Sequence, residues 1–573
     1  MSELTYIKGK DACLETSIER MQSILKNAGF DIVEASWLNP VPNVYSVHIY
    51  DRNCPGLFTN GKGTSRKATL ASALGEFIER LSTNYFFSDY WLENDRHETK
   101  QTWLYYPNEK QVDPVEFRSC LPEHLWAFYD ADQAYQPEDL LSLNDSNQVV
   151  RGLPLVAEHS RQTAYFPMSL LSNLYASNGL SAGNTLLEAQ VQGLSEVFER
   201  WVKNKIMREN LCLPEVPQTI IGQFNTVVQA IESLKQEGIE VSVRDASLGG
   251  HYPVINVTLF EQKSGRCFAS FGAHPIFEVA LERTLTESLQ GRQLGQLDGF
   301  QTPVFDEQAV AEDENIENHF IDSSGLIHAR FISQDADFEF HHWDFSGSTQ
   351  QQWEQLVKLV VDLGSDVYVA AYEHYDLPAC RIIVPGLSEI YPCQELVESN
   401  QNIGRELREI VLSIHPDCDF AELLEWFDSL GLSEHQGIAS LIGLMPDPSS
   451  YWGQMKVSDF RFWLALAAKD YETALDSIQE SLFFIDPISE WGTRYKAFEF
   501  SLEMLVNEQA CLFSAEQLFG TELAQKVWSN IQGEELFFGE PLALDVFKQS
   551  DRHQQLLKIY NQVREVKQAW FSD

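Results

Sequence analysis

The chain has 573 residues, of which 44% are hydrophobic and 12% aromatic, with 84 acidic against 41 basic residues and a net charge of −43. That apolar mass is enough for large cores and excludes a disordered chain, while the charge excludes unaided binding to nucleic acid or to an anionic membrane, because phosphate would be repelled. There is no apolar run of about 18 residues to span a bilayer, no basic and apolar leader at the start, and nine scattered cysteines without a Cys-x-x-Cys pair argue against zinc or a disulfide frame, so a cytoplasmic protein is expected.

Residues 11–29 read as an amphipathic helix with Leu14, Ile18, Met21 and Leu25 on one side, and with Lys10, Ser17 and Arg20 on it or just before it. Strand-like runs rich in Val, Ile, Tyr and Phe follow at 45–50, 239–243, 254–259, 267–271, 367–372 and 381–384. Helical patterns occupy 68–84, 186–206, 276–291 and 352–363. This interleaving predicts one large α+β domain over residues 1–414. From about His415 strand signals vanish, and residues 415–573 read as an all-α C-terminal domain. Its segment Ala467–Leu475 is similar to the middle of a tetratricopeptide repeat, with a generic helical bundle as the alternative.

Three stretches share one design. Asn60-Gly61-Lys62-Gly63 leads to a helix bearing Glu76-x-x-Glu79-Arg80. Asn178-Gly179-Leu180-Ser181-Ala182-Gly183 leads to a helix bearing Glu188, Gln192 and Glu196-x-x-Glu199-Arg200. Phe271-Gly272-Ala273-His274-Pro275 leads to a helix bearing Arg283, Glu287 and Gln290. Each entry reads as a glycine-containing turn, and Asn60–Gly63 taken alone as a hairpin turn. Residues three or four apart share a helical face, roughly 5–6 Å from each other. A single Glu-x-x-Glu-Arg is ordinarily a solvated face with a local ion pair. Three such units with related polar faces, each set apart from the apolar stripe, point instead to a shared site.

If Glu76, Glu79, Glu196, Glu199 and Glu287 surround one cavity, each close pair costs about 3 kcal/mol at an effective dielectric near 20. Either some are protonated or cations fill the pocket. Oxygen donors without His or Cys select Mg²⁺ over zinc, and Mg²⁺ shares its shell with phosphate oxygens. Arg80, Arg200 and Arg283, with Lys10 or Lys62, could meet the remaining phosphate charge, and the glycine-rich entries could present backbone N–H groups to it. A magnesium–nucleotide pocket is the expectation, outside the P-loop and kinase patterns, whose fingerprints are missing.

Ser72-x-x-x-Glu76-x-x-Glu79-Arg80, Glu188-x-x-x-Gln192-x-x-x-Glu196-x-x-Glu199-Arg200 and Arg283-x-x-x-Glu287 resemble the three ATP-binding motifs of the YcaO superfamily. The strings Lys10-Asp-Ala…Leu14-Glu…Ser17-Ile…Arg20, Ser36-Trp-Leu-Asn-Pro-Val-Pro-Asn-Val, Leu81-Ser-Thr-Asn-Tyr-Phe-Phe and Arg381-Ile-Ile-Val-Pro-Gly extend the resemblance, to one bacterial subgroup, over essentially the whole chain. The resemblance implies ATP and Mg²⁺ as ligands. It assigns Glu76, Glu79, Glu196, Glu199 and Glu287 to the metal, and Lys10, Ser17, Arg20, Ser72, Glu76, Asn184, Glu188, Gln192, Arg200 and Arg283 to the nucleotide. It gives no catalytic base. Relatives in the superfamily phosphorylate a peptide amide oxygen to form azolines or thioamides. The subgroup is instead associated with β-methylthiolation of an aspartate in a small-subunit ribosomal protein, beside a radical-SAM methylthiotransferase, and a homodimer is usual. Azoline-forming members end in a proline-rich tail, whereas this chain ends Gln568-Ala-Trp-Phe-Ser-Asp573, and no peptide-recognition domain is expected ahead of the core. An accessory factor is therefore the leading expectation, ahead of an autonomous amide-activating enzyme and of a non-catalytic adaptor with ATP as a structural ligand.

Overall fold

The structure, a computed structural model, describes residues 4–93, 102–295, 297–345, 347–400, 402–509 and 512–572. Cys511, one of the nine cysteines, lies outside the described residues. Among the described residues twelve strands precede a helical C-terminal region: β1 Ile32–Val41, β2 Val44–Asp51, β3 Phe58–Gly63, β4 Lys110–Val112, β5 Val150–Ala157, β6 Thr163–Pro167, β7 Leu180–Ala182, β8 Ile239–Asp245, β9 Val254–Glu261, β10 Arg266–Ala273, β11 Tyr368–Tyr372 and β12 Ala379–Ile383. They form three antiparallel sheets in the orders β1-β2-β3, β10-β9-β8 and β4-β5-β11-β12-β7, with β6 pairing to β5. The expected α+β architecture with a helical tail is what the chain adopts.

Four helices frame the site: α1 Leu14–Asn27, α2 Arg66–Ser82, α3 Leu186–Arg208 and α4 Phe277–Ser288. Each of the last three directly follows a strand, β3, β7 and β10 respectively, and packs back on it. Each is also wedged against a second sheet. Helix α2 lies on β2 and β3 and on β7 and β12; α3 lies on β7 and β12 and on β9 and β10; α4 lies on β9 and β10 and on β2 and β3. The three strand–helix units thus close a ring, each helix filling the gap between two sheets.

Two of the three glycine-rich entries are strand ends and not turns: Asn60–Gly63 lies within β3 and Phe271–Ala273 ends β10, whereas in the second entry Asn178 and Gly179 form the expected turn, Gly179 at φ 76°, ahead of β7. Their glycines are consumed by packing. A Cβ on Gly61 would stand 2.2 Å from the Thr69 carbonyl oxygen, one on Gly272 2.2 Å from Thr284 Oγ1, and one on Gly183 2.6 Å from the Ala189 nitrogen. Only glycine lets each helix lie this close to its own strand. The helix starts are closed locally: Ser65 Oγ accepts from the Ala68 N–H and Thr185 Oγ1 from the Glu188 N–H.

Among the described residues no strand follows β12. Helices from Ile403–Ser413 onward enclose an aromatic core of Trp452, Phe460, Phe462, Trp463, Tyr495, Phe498, Phe537 and Phe538, which also takes in Leu407 and Val411. The repeat-like segment Ala467–Leu475 spans the turn between helices Val457–Ala467 and Tyr471–Ser481, with Ala474 fully buried. The last helix, Asp551–Ser572, leaves this core: Leu556, Ile559, Tyr560 and Val563 join the core that holds Leu74, Phe77, Ile78 and Leu81 of α2. No helix among the described residues is long and apolar enough to cross a membrane.

The packing makes a direct prediction. Gly61→Val should drive α2 off β3 and destabilise the protein by about 2–3 kcal/mol, read as an earlier urea midpoint, whereas Gly238→Ala, at a left-handed turn with nothing within 4 Å of its Cβ, should cost less.

Candidate nucleotide and metal site

The polar face of α3 carries Glu188, Gln192, Glu196, Glu199, Arg200 and Lys203, and it is turned inward: Glu188 is 3% exposed, Glu199 8% and Lys203 2%. At 1.5 Å per residue, Glu188 to Glu199 spans about 16 Å. The site residues fall into two groups along this line.

At the N-terminal end of α3 stand Lys10, Ser17, Arg20, Asn184, Glu188 and Gln192. Lys10 Nζ donates to Glu188 Oε1 at 3.0 Å and Gln192 Oε1 at 3.2 Å, and the Asp11 N–H donates to Glu188 Oε2 at 2.8 Å. Ser17 Oγ donates to Asn184 Oδ1 at 2.6 Å, and Arg20 reaches the Asn184 carbonyl oxygen at 3.2 Å and Asp376 at 3.3 Å. Asn184 Nδ2 in turn donates to both Glu188 oxygens at 3.2 and 3.0 Å. Sequence stretches up to 356 residues apart thus meet in one hydrogen-bonded set, with α1 lying against α2.

Deeper along α3 lie the carboxylates. Glu76 and Glu79 of α2 both contact Arg80, at 3.1 and 3.3 Å, Glu196 lies 3.9 Å from Arg200, and Glu287 of α4 is ion-paired to Lys62 of β3. Ser72 Oγ, one turn before Glu76, accepts weakly from the Lys62 N–H at 3.5 Å. Burial, with Glu76 and Glu196 nearby, pushes the Glu79 carboxyl up to about 8 against the pull of Arg80 and Arg381. Glu196 is raised as well, chiefly by burial and then by Glu199, while Arg200, Arg80 and Arg283 oppose the shift. Lys62 is pushed down to about 8 by burial and by Arg283 and Arg200, with Glu199 and Glu76 pulling the other way. Glu76, Glu79, Glu196 and Glu199 with Arg80, Arg200 and Arg283 thus form one electrostatic cluster spanning the three helices, which Glu287 joins through Lys62.

The charge is balanced differently from the sequence expectation. Protonation and metal ions were the only two remedies foreseen; the fold supplies a third, its own Arg and Lys side chains. Among the described residues no three His, Cys, Asp or Glu side chains are gathered closely enough to hold an ion as they stand. The donor set nonetheless suits Mg²⁺, being all oxygen, and the cations beside it are short of acceptors. Arg200 Nε and Arg381 Nε and Nη1 are buried without a hydrogen-bond partner among the described residues. Buried donors left unpaired are costly, and an anion such as phosphate would satisfy them.

Lys62, expected among the cations that could meet phosphate charge, faces the carboxylates through Glu287, and two further contributors have no role assigned from sequence. Arg381 on β12, 2% exposed, acts on Glu79 and appeared only within a family string, with no role. His274 precedes α4, accepts from the Ile276 N–H at 3.0 Å, and lies beside Lys10 and Arg283. Its contact is made across the ring, which no local pattern records.

Burial, then Arg283 and Lys10, hold the His274 imidazole down to about 3. Its folded pKa lies below the unfolded value near 6.5, so the unfolded chain binds more protons between these values and stability falls as pH drops through that window. His274→Gln should remove about 2 kcal/mol of the loss between pH 7 and pH 5, measured by urea unfolding at the two pH values.

A family model described as YcaO cyclodehydratase, ATP- and Mg²⁺-binding, matches residues 60–388, and one described as the YcaO cyclodehydratase C-terminal domain matches residues 404–569. The chain is 44% identical over 587 aligned positions to an Escherichia coli protein described as ribosomal protein S12 methylthiotransferase accessory factor YcaO, with 99% of each chain covered. It is 43% identical, with the same coverage, to a Haemophilus influenzae protein described as uncharacterized. Among solved structures it is similar to YcaO from Methanopyrus kandleri bound with AMPPCP and Mg²⁺, at 19% identity and a TM-score of 0.40, covering 68% of this chain and 96% of that one. The first family match takes in α2, α3 and α4 with every carboxylate of the hollow, and the second the helical region beyond, so the chain belongs to the YcaO family.

Proposed function

We propose that the protein binds ATP with Mg²⁺ in the hollow between α2, α3 and α4, and that this supports β-methylthiolation of an aspartate in ribosomal protein S12 by a partner radical-SAM methylthiotransferase. The observation that carries the first half is the interleaving of five glutamates, two of them buried and three partly exposed, with buried guanidinium donors that have no hydrogen-bond partner among the described residues. A ligand that brings both cations and phosphate oxygens satisfies both sets. The second half is supported by 44% identity along the whole length of a relative described as an accessory factor for that modification.

In this reading Glu76, Glu79, Glu196, Glu199 and Glu287 hold the metal, exchanging Arg80, Arg200 and Lys62 for it. The guanidinium groups so released, with Arg283, turn to the phosphates. Ser72, Lys10, Ser17, Arg20, Asn184, Glu188 and Gln192 position the rest of the nucleotide along α3. The chain's own contribution is to neutralise charge, orient the phosphates and keep water out of a hollow walled by three sheets, which is most of what phosphoryl transfer asks of a protein. Bound ATP would supply the transferable phosphoryl group.

Calorimetric titration of ATP in the presence of Mg²⁺ tests the reading. Wild-type protein should bind, and chelating the metal with EDTA should abolish the heat. Glu79→Gln and Glu199→Gln should each weaken binding at least about tenfold with unchanged circular dichroism. Unaltered affinity in both variants would reject the assignment.

A further inference from the structure

The last helix ends beside the helix that carries Glu76 and Glu79. Lys567 is 1% exposed and sits where α2 stops. Its Nζ donates to Asn84 Oδ1 and to the Tyr105 carbonyl oxygen, and lies 4.3 Å from the centre of the Tyr106 ring. Asn84 is the residue at which the chain turns out of α2, in the left-handed region at φ 62°. Tyr106 OH donates to the Ser82 carbonyl oxygen, the last residue of α2, and its ring stacks on Tyr372 at 4.8 Å and 11°. The turn holding Asn84 is itself tied to the metal-site helix, since Thr83 donates through both N–H and Oγ1 to the Glu79 carbonyl oxygen. The rest of the last helix fixes the register: Tyr560 OH donates to the Leu104 carbonyl oxygen, Arg564 to that of Trp103, and Trp103 Nε1 to Gln568.

Both hydrogen-bond acceptors of the Lys567 amine among the described residues are neutral, and the carboxylate that acts on it, Glu109, does so without a hydrogen bond. A buried amine without a hydrogen-bonded carboxylate is an expensive way to fill space, and an apolar side chain of the same length would stabilise the core more. Its amine is accordingly held well below the usual lysine range, mainly by burial. What the amine does that a methyl group could not is bond the Asn84 side chain and the Tyr105 carbonyl at once. It thereby fixes both the end of α2 and the segment whose Tyr106 holds Ser82.

We propose that Lys567 is a positioning residue for the nucleotide site: the helical C-terminal region reaches back through it to set the axial position and rotation of α2, and with them the placement of Glu76 and Glu79. The proposal rests on the Mg²⁺-ATP reading of the hollow.

The test titrates Mg²⁺-ATP into the full chain and into Lys567→Met, Lys567→Gln and Glu199→Gln, with melting temperatures in parallel. The expected result is that Lys567→Met melts at or above the wild-type temperature yet binds at least fivefold more weakly, while Lys567→Gln, which keeps an N–H donor, recovers part of that loss. Affinity within twofold of wild type in Lys567→Met overturns the proposal while leaving the ATP reading intact, provided Glu199→Gln has lost binding. A loss of affinity that follows a lowered melting temperature equally in the Met and Gln variants also overturns it, since the lysine would then be structural support. Absence of binding in the wild type overturns both readings.

Discussion

The organising constraint in this molecule is buried charge. Glu79, Glu188 and Glu199 are each less than one tenth exposed, and Glu79 and Glu196 are pushed toward the neutral form by burial. A fold with a net stability of some 5–15 kcal/mol cannot leave such groups uncompensated, because an isolated buried carboxylate costs more than most cores can return. Here compensation comes partly from the same helix, as Arg80 serves Glu76 and Glu79 and Arg200 serves Glu196, and partly from across the ring, as Lys62 serves Glu287 and Arg381 acts on Glu79. The result resembles a small salt crystal with one defect: among the described residues some buried guanidinium donors have no hydrogen-bond partner. A metal–phosphate ligand is a salt as well, so its entry can exchange ion pairs in kind and leave the local charge nearly unchanged.

The ring of sheets explains why such a hollow exists. An amphipathic helix on a globular surface has one wet face, so its charged residues are cheap and carry little information. Here α2, α3 and α4 each touch two sheets, and charged groups on their polar faces act on one another: Glu76 and Glu196 on Glu79, and Arg80 and Arg283 on Glu196. Close helix–strand approach at Gly61, Gly183 and Gly272 is what closes the ring. The repeated glycine and the repeated carboxylate are therefore two consequences of one geometry, the first packing each helix down and the second lining what the three helices enclose.

This also separates what was legible in the sequence from what was not. The glutamates were legible because their i, i+3 and i+4 spacing is local and recurs three times, and the long helices because their apolar periodicity is strong. The strand ends β3 and β10 were read as turns because glycine is read by default as a turn signal, and nothing local distinguishes a glycine needed for helix contact. Strand β5, Val150–Ala157, escaped notice because Gly152 and Pro154 interrupt it, and β1, Ile32–Val41, because Asn39 and Pro40 do. Arg381 and His274 had no legible role, and Lys62 only that of a cation for phosphate, because their partners lie far away in the chain: Lys62 meets Glu287, and Arg381 acts on Glu79. Their importance is a property of the closed ring, not of any segment.

The change of texture near His415 invites the view of a nucleotide-binding unit followed by an independent helical one. The packing contradicts that independence. Leu407 and Val411 belong to the helical core, whereas Leu556, Ile559, Tyr560 and Val563 belong to the core of α2. The chain leaves the first core, builds the second, and returns to complete the first with its last long helix. A helix that buries Tyr560 against Phe87 at 5.4 Å and spends a desolvated lysine on the end of α2 is part of the wall of the first region, whatever its address in the sequence. The helical region is thereby tied to the end of α2 by the Lys567 hydrogen bonds to Asn84 and Tyr105 and by the Tyr106 hydroxyl bonded to Ser82.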